Sequence, residues 1–268
     1  MSKAASLTLV GAGRMGSALL HGWLKGPARE ISVIEPSPQD EIRALADQGR
    51  IQLNPSPSES GIIVMAVKPQ QFATVSDQAR SFVGAGSVAI SIMAGVRLAQ
   101  LSRRLGTERV IRAMPNTPGA IGRGVTVFTA PEGAKPEDLE AARELLAPLG
   151  EVHGPVAEDM MSAVTALSGS GPAYIFLLAE VMAHAGVAQG LPEDLAMSLA
   201  RRTVEGAAAL MAESSSSPEA LRKAVTSPGG TTQAALDILM DTGGMPALFK
   251  DALKAAANRD RQLSQEAD

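Results

Sequence analysis

Short apolar runs and helical stretches alternate from Ser6 to Ala147, and no other feature of the sequence limits the fold so sharply. Ser6–Val10, Ile31–Ile34, Ile62–Val67, Val88–Met93 and Arg109–Ala113 are bounded by Gly, Pro or polar residues, the pattern of strands buried on both faces. Between them Met15–Lys25, Pro38–Gln48, Gln70–Phe82 and Arg97–Leu105 have the length and period of helices. Strand and helix in turn predict a doubly wound α/β sheet, completed by a strand at Gly124–Thr129 and a helix at Pro136–Ala147. After Val156 the strand signals stop. From Ala157 to Ser264 the sequence is helical in character, rich in Ala, Leu and Met and broken by Gly and Pro at 171–172, 190–192, 228–230 and 243–246. The expected organisation is a Rossmann-type domain over 1–157 and an all-helical domain over 158–268.

Composition narrows the partners. Of the 268 residues 45% are hydrophobic and 19% charged, so the chain can bury a substantial core. A net charge of −4 with scattered Lys and Arg argues against nucleic acid. There are no cysteines and only three histidines, so no metal site is expected. The N-terminus shows no leader, and no run approaches the ~20 apolar residues of a membrane span. A cytoplasmic protein without membrane contact is the expectation. Tyr174–Ala188 and Asp194–Met211 are small or apolar around most of their circumference, and a helical domain of this size has too little interior to cover them. A second copy of the chain is the expected cover.

Gly11-Ala12-Gly13-Arg14-Met15-Gly16 follows a strand and opens a helix, the context in which such glycines bind a dinucleotide. The first glycine permits the turn, the second admits a pyrophosphate to backbone N–H groups, and the third lets helix and strand pack closely. Arg14 is near enough to pair with a phosphate. Glu35 ends the next strand, where a carboxylate accepts hydrogen bonds from ribose hydroxyls and repels a 2′-phosphate, which favours NADH; a solvated loop position is the competing reading. Ala66-Val67-Lys68-Pro69 closes a strand at the carboxyl edge of the sheet, where ligands of such sheets bind. Lys68 offers charge to ribose or phosphate, and Pro69 starts a helix where no N–H donor is needed. In Met114-Pro-Asn-Thr-Pro118 two prolines stiffen a turn on the same edge, with Asn116 and Thr117 as contacts near the nicotinamide or as purely structural residues.

The second candidate site is Ser227-Pro228-Gly229-Gly230-Thr231-Thr232, ahead of a helical run at Gln233–Met240. Free N–H groups at a helix start, with glycines that let a ligand approach, suit a carboxylate without any charged side chain. Leu167-Ser-Gly-Ser-Gly-Pro-Ala-Tyr174 reads as a close-packing segment between the domains.

The order and spacing of GAGRMG, AVKP, MPNTP, LSGSGPAY and TSPGGTT resemble the pyrroline-5-carboxylate reductase family over nearly the whole chain. The resemblance implies NADPH- or NADH-dependent reduction of 1-pyrroline-5-carboxylate to L-proline, the last step of proline biosynthesis. It implies that the AVKP stretch lines the cofactor. It also implies that Ser227, Gly229, Gly230, Thr231 and Thr232 hold the substrate carboxylate, with the Thr232 hydroxyl as the catalytic group at the ring nitrogen. A homodimer is implied, with a larger assembly such as a decamer as its extended form. The nearest rival is a β-hydroxyacid dehydrogenase or related imine reductase; those dehydrogenases carry a lysine in the helix that here begins Tyr174-Ile-Phe-Leu-Leu-Ala-Glu180, which has none. A non-catalytic dinucleotide-binding redox sensor is the rival of another class, and it has no use for the anion site at Ser227–Thr232.

Overall fold

The computed structural model describes residues 5–266, so the first four residues of the N-terminal stretch lie outside it. The chain divides into two compact units, Met1–Gly169 with Ala256–Asp268, and Ser170–Ala255.

The first unit is built on an eight-stranded sheet in the order β3-β2-β1-β4-β5-β6-β7-β8. The strands are β1 (Leu7–Val10), β2 (Ile31–Ile34), β3 (Gln52–Leu53), β4 (Ser60–Met65), β5 (Val83–Ser91), β6 (Val110–Met114), β7 (Gly124–Thr129) and β8 (Gly150–His153). Strand order reverses between β1 and β4, the switch point at which open parallel sheets bind their ligands. Two departures from the sequence reading concern strands. The edge strands β3 and β8 are additional, and β7 runs antiparallel to β6. The connection Pro115–Arg123 is too short for the crossover that a parallel neighbour requires, so the chain turns back.

Alternation of side chains divides the core. Leu7, Leu9, Ile62, Val64, Val88 and Ile90 pack on one face with Leu19 and Leu20 of α1 (Arg14–Trp23), Ile42 of α2 (Asp40–Asp47) and Leu145 of α5 (Pro136–Leu146). Val10, Ile63, Met65 and Ala89 face the other way, onto Phe72 and Ala79 of α3 (Phe72–Arg80) and Leu101 and Leu105 of α4 (Leu98–Leu105). Trp23 on α1 donates its indole N–H to the Leu145 carbonyl at 2.8 Å, so its one polar atom is satisfied inside the core. The short α6 (Met161–Val164) passes into a π-helical turn at Thr165–Gly169.

The second unit is helical: α7 (Gly171–Ala188), α8 (Glu193–Glu213), α9 (Pro218–Ala224), α10 (Thr231–Leu239) and the first half of α11 (Met245–Glu266). α7 and α8 meet along a seam of small residues. A Cβ on Gly186 would lie 3.3 Å from that of Ala196, and Ala183, Ala196 and Ala200 are buried. Small side chains bring two helices together, but they bury little area.

Candidate active site

Strand register sets the first half of the site. Val10 is level with Ile34 on one side and Met65 on the other, so the next residues along, Gly11, Glu35 and Ala66, emerge side by side at the carboxyl edge. The Gly11 N–H donates to the Ile34 carbonyl at 2.9 Å, and that of Ala66 to the Val10 carbonyl at 2.8 Å. Gly11 has φ +94°, and a Cβ there would press against Ala66 O and Val67 Cγ1, each 2.8 Å away. A Cβ on Gly16 would lie 2.2 Å from the Gly11 carbonyl oxygen, so helix and turn can approach this closely only because residue 16 is glycine. A Cβ on Gly13 would meet nothing within 4 Å: there the backbone borders open space. Gly13 precedes α1 without any side-chain cap, leaving the first-turn N–H groups of Arg14 and Met15 without an intrahelical acceptor. A pyrophosphate fits this cradle.

One N–H of the fingerprint is already engaged. Ala12 donates to Glu35 Oε2 at 2.9 Å, and Ser37 donates to Glu35 Oε1 at 3.0 Å. The carboxylate therefore braces the glycine turn against the end of β2, and Ala12 does not serve a phosphate with that N–H. Lys68 is exposed, and Pro69 opens a 3₁₀ turn, Pro69–Gln71, as the first residue of that helix. Asn116 has a structural task, since its Oδ1 accepts the Val125 N–H at 3.0 Å and so fixes the start of β7. Thr117 is exposed at the same edge and begins the 3₁₀ segment Thr117–Ile121, where a Cβ on Gly119 would lie 3.3 Å from the Met15 methyl. The packing role read for the serine–glycine segment holds at Gly169, where a Cβ would come within 2.5 Å of Met114 Cε.

In the second unit Ser227–Gly230 is a tight turn with the pattern of type II, Pro228 second and Gly229 third at φ +69°. The Gly230 N–H donates to the Ser227 carbonyl at 3.0 Å, and a Cβ on Gly230 would lie 2.4 Å from Ser227 Oγ. Gly230 thus provides clearance and not a free donor, a change from its expected share in anion binding. The donors are those of α10, whose N-cap is Gly230 and which no side chain caps. Thr231, Thr232 and Gln233 supply its first-turn N–H groups, with Thr231 exposed and Thr232 half-buried. Three N–H groups at the positive end of a helix have the chemistry that suits a carboxylate.

The same unit leaves an apolar surface open. Ile175, Phe176, Leu177 and Val181 on α7, Leu199 and Leu210 on α8 and Ile238 on α10 are exposed, Phe176 at 68% and Ile238 at 76%. The reading that nothing here approaches a membrane span needs correction, because Glu158–Ala188 is long and apolar enough to cross a bilayer by length and composition. Ser, Gly, Pro and Glu180 interrupt the run and hide it from a search for unbroken apolar sequence, while the average stays high.

Comparison with known proteins accounts for both the cradle and the surface. Residues 158–263 match the family described as pyrroline-5-carboxylate reductase dimerisation, and residues 6–95 match that described as NADP oxidoreductase, coenzyme F420-dependent. The pyrroline-5-carboxylate reductase of Escherichia coli K12 is 37% identical, with 95% of this chain and 97% of that protein covered. That of Glycine max is 35% identical, with 97% and 96% covered. Among solved structures, a pyrroline-5-carboxylate reductase from Coxiella burnetii superposes with a TM-score of 0.87 at 32% identity, covering 98% of this chain and 99% of that one. The Plasmodium falciparum pyrroline carboxylate reductase, solved with NADP bound, gives a TM-score of 0.80 at 26% identity, again covering 98% and 99%. Sheet, helical domain and full-length similarity converge: the chain belongs to the pyrroline-5-carboxylate reductase family.

Proposed function

We propose that this chain reduces 1-pyrroline-5-carboxylate to L-proline, using the edge of the sheet for the nicotinamide cofactor and the start of α10 for the substrate carboxylate. The observation that carries the reading is the uncapped helix start at Thr231–Gln233 behind a Pro-Gly-Gly turn, in a chain that also carries the open glycine cradle at Gly13. Reduced nicotinamide, when bound, supplies a hydride to the imine carbon. The chain's own work is binding and orientation. Backbone N–H groups of Thr231, Thr232 and Gln233 hold the carboxylate, and Ser227 lends its hydroxyl to the same anion. A fixed carboxylate fixes which face of the ring is presented. The Thr232 hydroxyl donates a hydrogen bond at the ring nitrogen and passes on the proton that the nitrogen takes up as the C=N bond is reduced.

Glu35 decides between NADH and NADPH. Its two oxygens offer about four lone-pair positions, of which Ala12 and Ser37 N–H take two. The others remain for ribose hydroxyls. A 2′-phosphate would meet a carboxylate and would find the Ser37 N–H already used. NADH is therefore accepted at least as well as NADPH. Residues 1–157 serve the cofactor, and 158–268 serve substrate and dimerisation. The exposed faces of α7 and α8 are covered by a second chain and not by lipid, giving a cytoplasmic homodimer on which a larger assembly such as a decamer is built.

The test is a comparison of 1-pyrroline-5-carboxylate with 1-pyrroline, which has the imine and lacks the carboxylate. Hydrogen bonds to a charged group are worth about 1.5–3 kcal/mol each, so kcat/KM should fall by roughly a hundred-fold or more without it. Equal use of the two imines would refute the carboxylate anchor.

A further inference from the structure

Asn54 has no place in the reading above, yet its backbone is unusual. It is the one non-glycine residue among those described with a left-handed backbone, φ +48°. It follows β3, and its N–H donates to the Val33 carbonyl at 2.8 Å, which holds it beside the end of β2. From there its side chain makes a reciprocal pair with the main chain of one residue. Asn54 Oδ1 accepts the Glu35 N–H at 2.9 Å, and Asn54 Nδ2 donates to the Glu35 carbonyl at 2.9 Å. Asparagine tolerates this backbone better than most residues, and its amide offers a donor and an acceptor on one short stem. A side chain that replaces two ladder hydrogen bonds of a strand end locks that strand end.

The residue it locks is Glu35. Past β2 the chain leaves the sheet through Pro36 and Ser37, both exposed, so nothing in the sheet itself constrains Glu35 beyond this point. With its main chain held on both sides by Asn54, the carboxylate falls within reach of both Ala12 and Ser37 N–H. Backbone clamp and carboxylate brace form one unit that joins β3, the end of β2 and the glycine turn.

We propose that Asn54 is a positioning residue for cofactor choice: its amide clamps the Glu35 main chain, and through it fixes the carboxylate where it receives ribose hydroxyls and opposes a 2′-phosphate. The inference rests on the proposed role of Glu35. Freed from the clamp, Glu35 could swing into solvent. NADH would then lose a pre-organised acceptor and NADPH would lose an obstacle, so the two cofactors change in opposite directions. Asn54 never touches the reacting atoms.

The experiment measures kcat/KM for NADH and for NADPH in the full-length oligomer with saturating 1-pyrroline-5-carboxylate. Asn54→Gly keeps the left-handed backbone and deletes the amide, and Glu35→Gln removes the charge while keeping an acceptor. The NADH/NADPH ratio should fall in both variants. For Asn54→Gly the fall should be roughly three- to ten-fold, the scale of one or two ordinary hydrogen bonds. Asn54→Ser provides the same reading should the glycine variant not fold. A merely structural Asn54 would lower stability and both efficiencies alike, leaving the ratio at the wild-type value. That result, with a shifted ratio in Glu35→Gln, overturns the clamp and leaves the role of Glu35 standing. An unchanged ratio in Glu35→Gln overturns that role, and the clamp with it.

Discussion

Ser227 opens the turn ahead of α10 and Thr232 lies in the first turn of that helix, and variants of the two should separate binding from turnover. Thr232→Ala leaves the backbone N–H groups at the start of α10 intact and removes only the hydroxyl proposed to serve the ring nitrogen. Turnover should fall on the order of ten- to a hundred-fold, the value of one hydrogen bond that strengthens as the nitrogen changes charge, with little change in KM. Ser227→Ala should instead raise KM, since the carboxylate is held alike in ground state and transition state. Full turnover in Thr232→Ala would mean that water alone supplies the proton. Glu35→Ser should move preference toward NADPH, and a wild-type enzyme strongly selective for NADPH would contradict the role given to Glu35. At the fingerprint, Gly16→Ala places a methyl 2.2 Å from the Gly11 carbonyl oxygen, against backbone that cannot move aside cheaply. Overpacking of this kind costs about 1–3 kcal/mol, and dinucleotide affinity measured by titration should drop by roughly ten-fold. Unchanged affinity would show that close contact of turn and helix is not what shapes the cradle.

At the scale of elements, β6 carries a buried cation two residues before the Met114–Thr117 turn. Arg112 is buried, with Nη2 3.7 Å from Asp260 Oδ2 on α11 and Nη1 3.8 Å from Glu158 Oε1. Both distances exceed a hydrogen bond, and among the described residues Arg112 Nη2 and Asp260 Oδ1 are buried without a hydrogen-bond partner. Burial lowers the guanidinium pKa, while Asp260 and then Glu158 act to raise it. Ser162 Oγ donates to Asp260 Oδ2 at 2.8 Å, so the cluster ties the last turns of α11 and the start of α6 to the sheet. Asp260→Asn keeps an acceptor for Ser162 and removes the charge. The loss should be about 3 kcal/mol in denaturant unfolding, as when one partner of a buried ion pair is deleted. No loss would mean that the long separations carry no stabilisation. Nothing in the sequence pointed to this cluster, because its members lie on β6, the approach to α6 and the far end of the chain. The strands that stand out in the sequence are those with mostly apolar runs, such as Ile62–Met65 of β4. β3 has two residues and β8 reads Gly-Glu-Val-His, so neither shows an apolar face long enough to mark it. The glycine turn and the Pro-Gly-Gly turn were legible because each needs particular residues at particular backbone angles. The partners of Ala12, Gly230 and Asn116 were not, since local sequence does not say which N–H group a fold has already used.

The region 158–263, matched to the pyrroline-5-carboxylate reductase dimerisation family, supports a homo-oligomer, and in a single chain it exposes large apolar side chains on α7 and α8. Covering the faces of α7 and α8 should bury well over ~2,000 Å² in total, the scale of obligate dimers. Sedimentation at low micromolar concentration should therefore show no monomer. A stable, active monomer would refute the interface. Charged substitutions such as Phe176→Asp should release monomers that are less stable and inactive, and partition of the wild-type chain into lipid vesicles in preference to self-association would contradict a protein partner for this surface. Reduction of the imine to L-proline is read out by product analysis. Purified oligomer, reduced nicotinamide and 1-pyrroline-5-carboxylate are incubated together, following cofactor oxidation by absorbance and the amino acid formed by chiral chromatography. One L-proline should appear for each reduced cofactor consumed, and no oxidation should occur without the imine. Cofactor binding without turnover, or oxidation that yields no proline, would contradict the account.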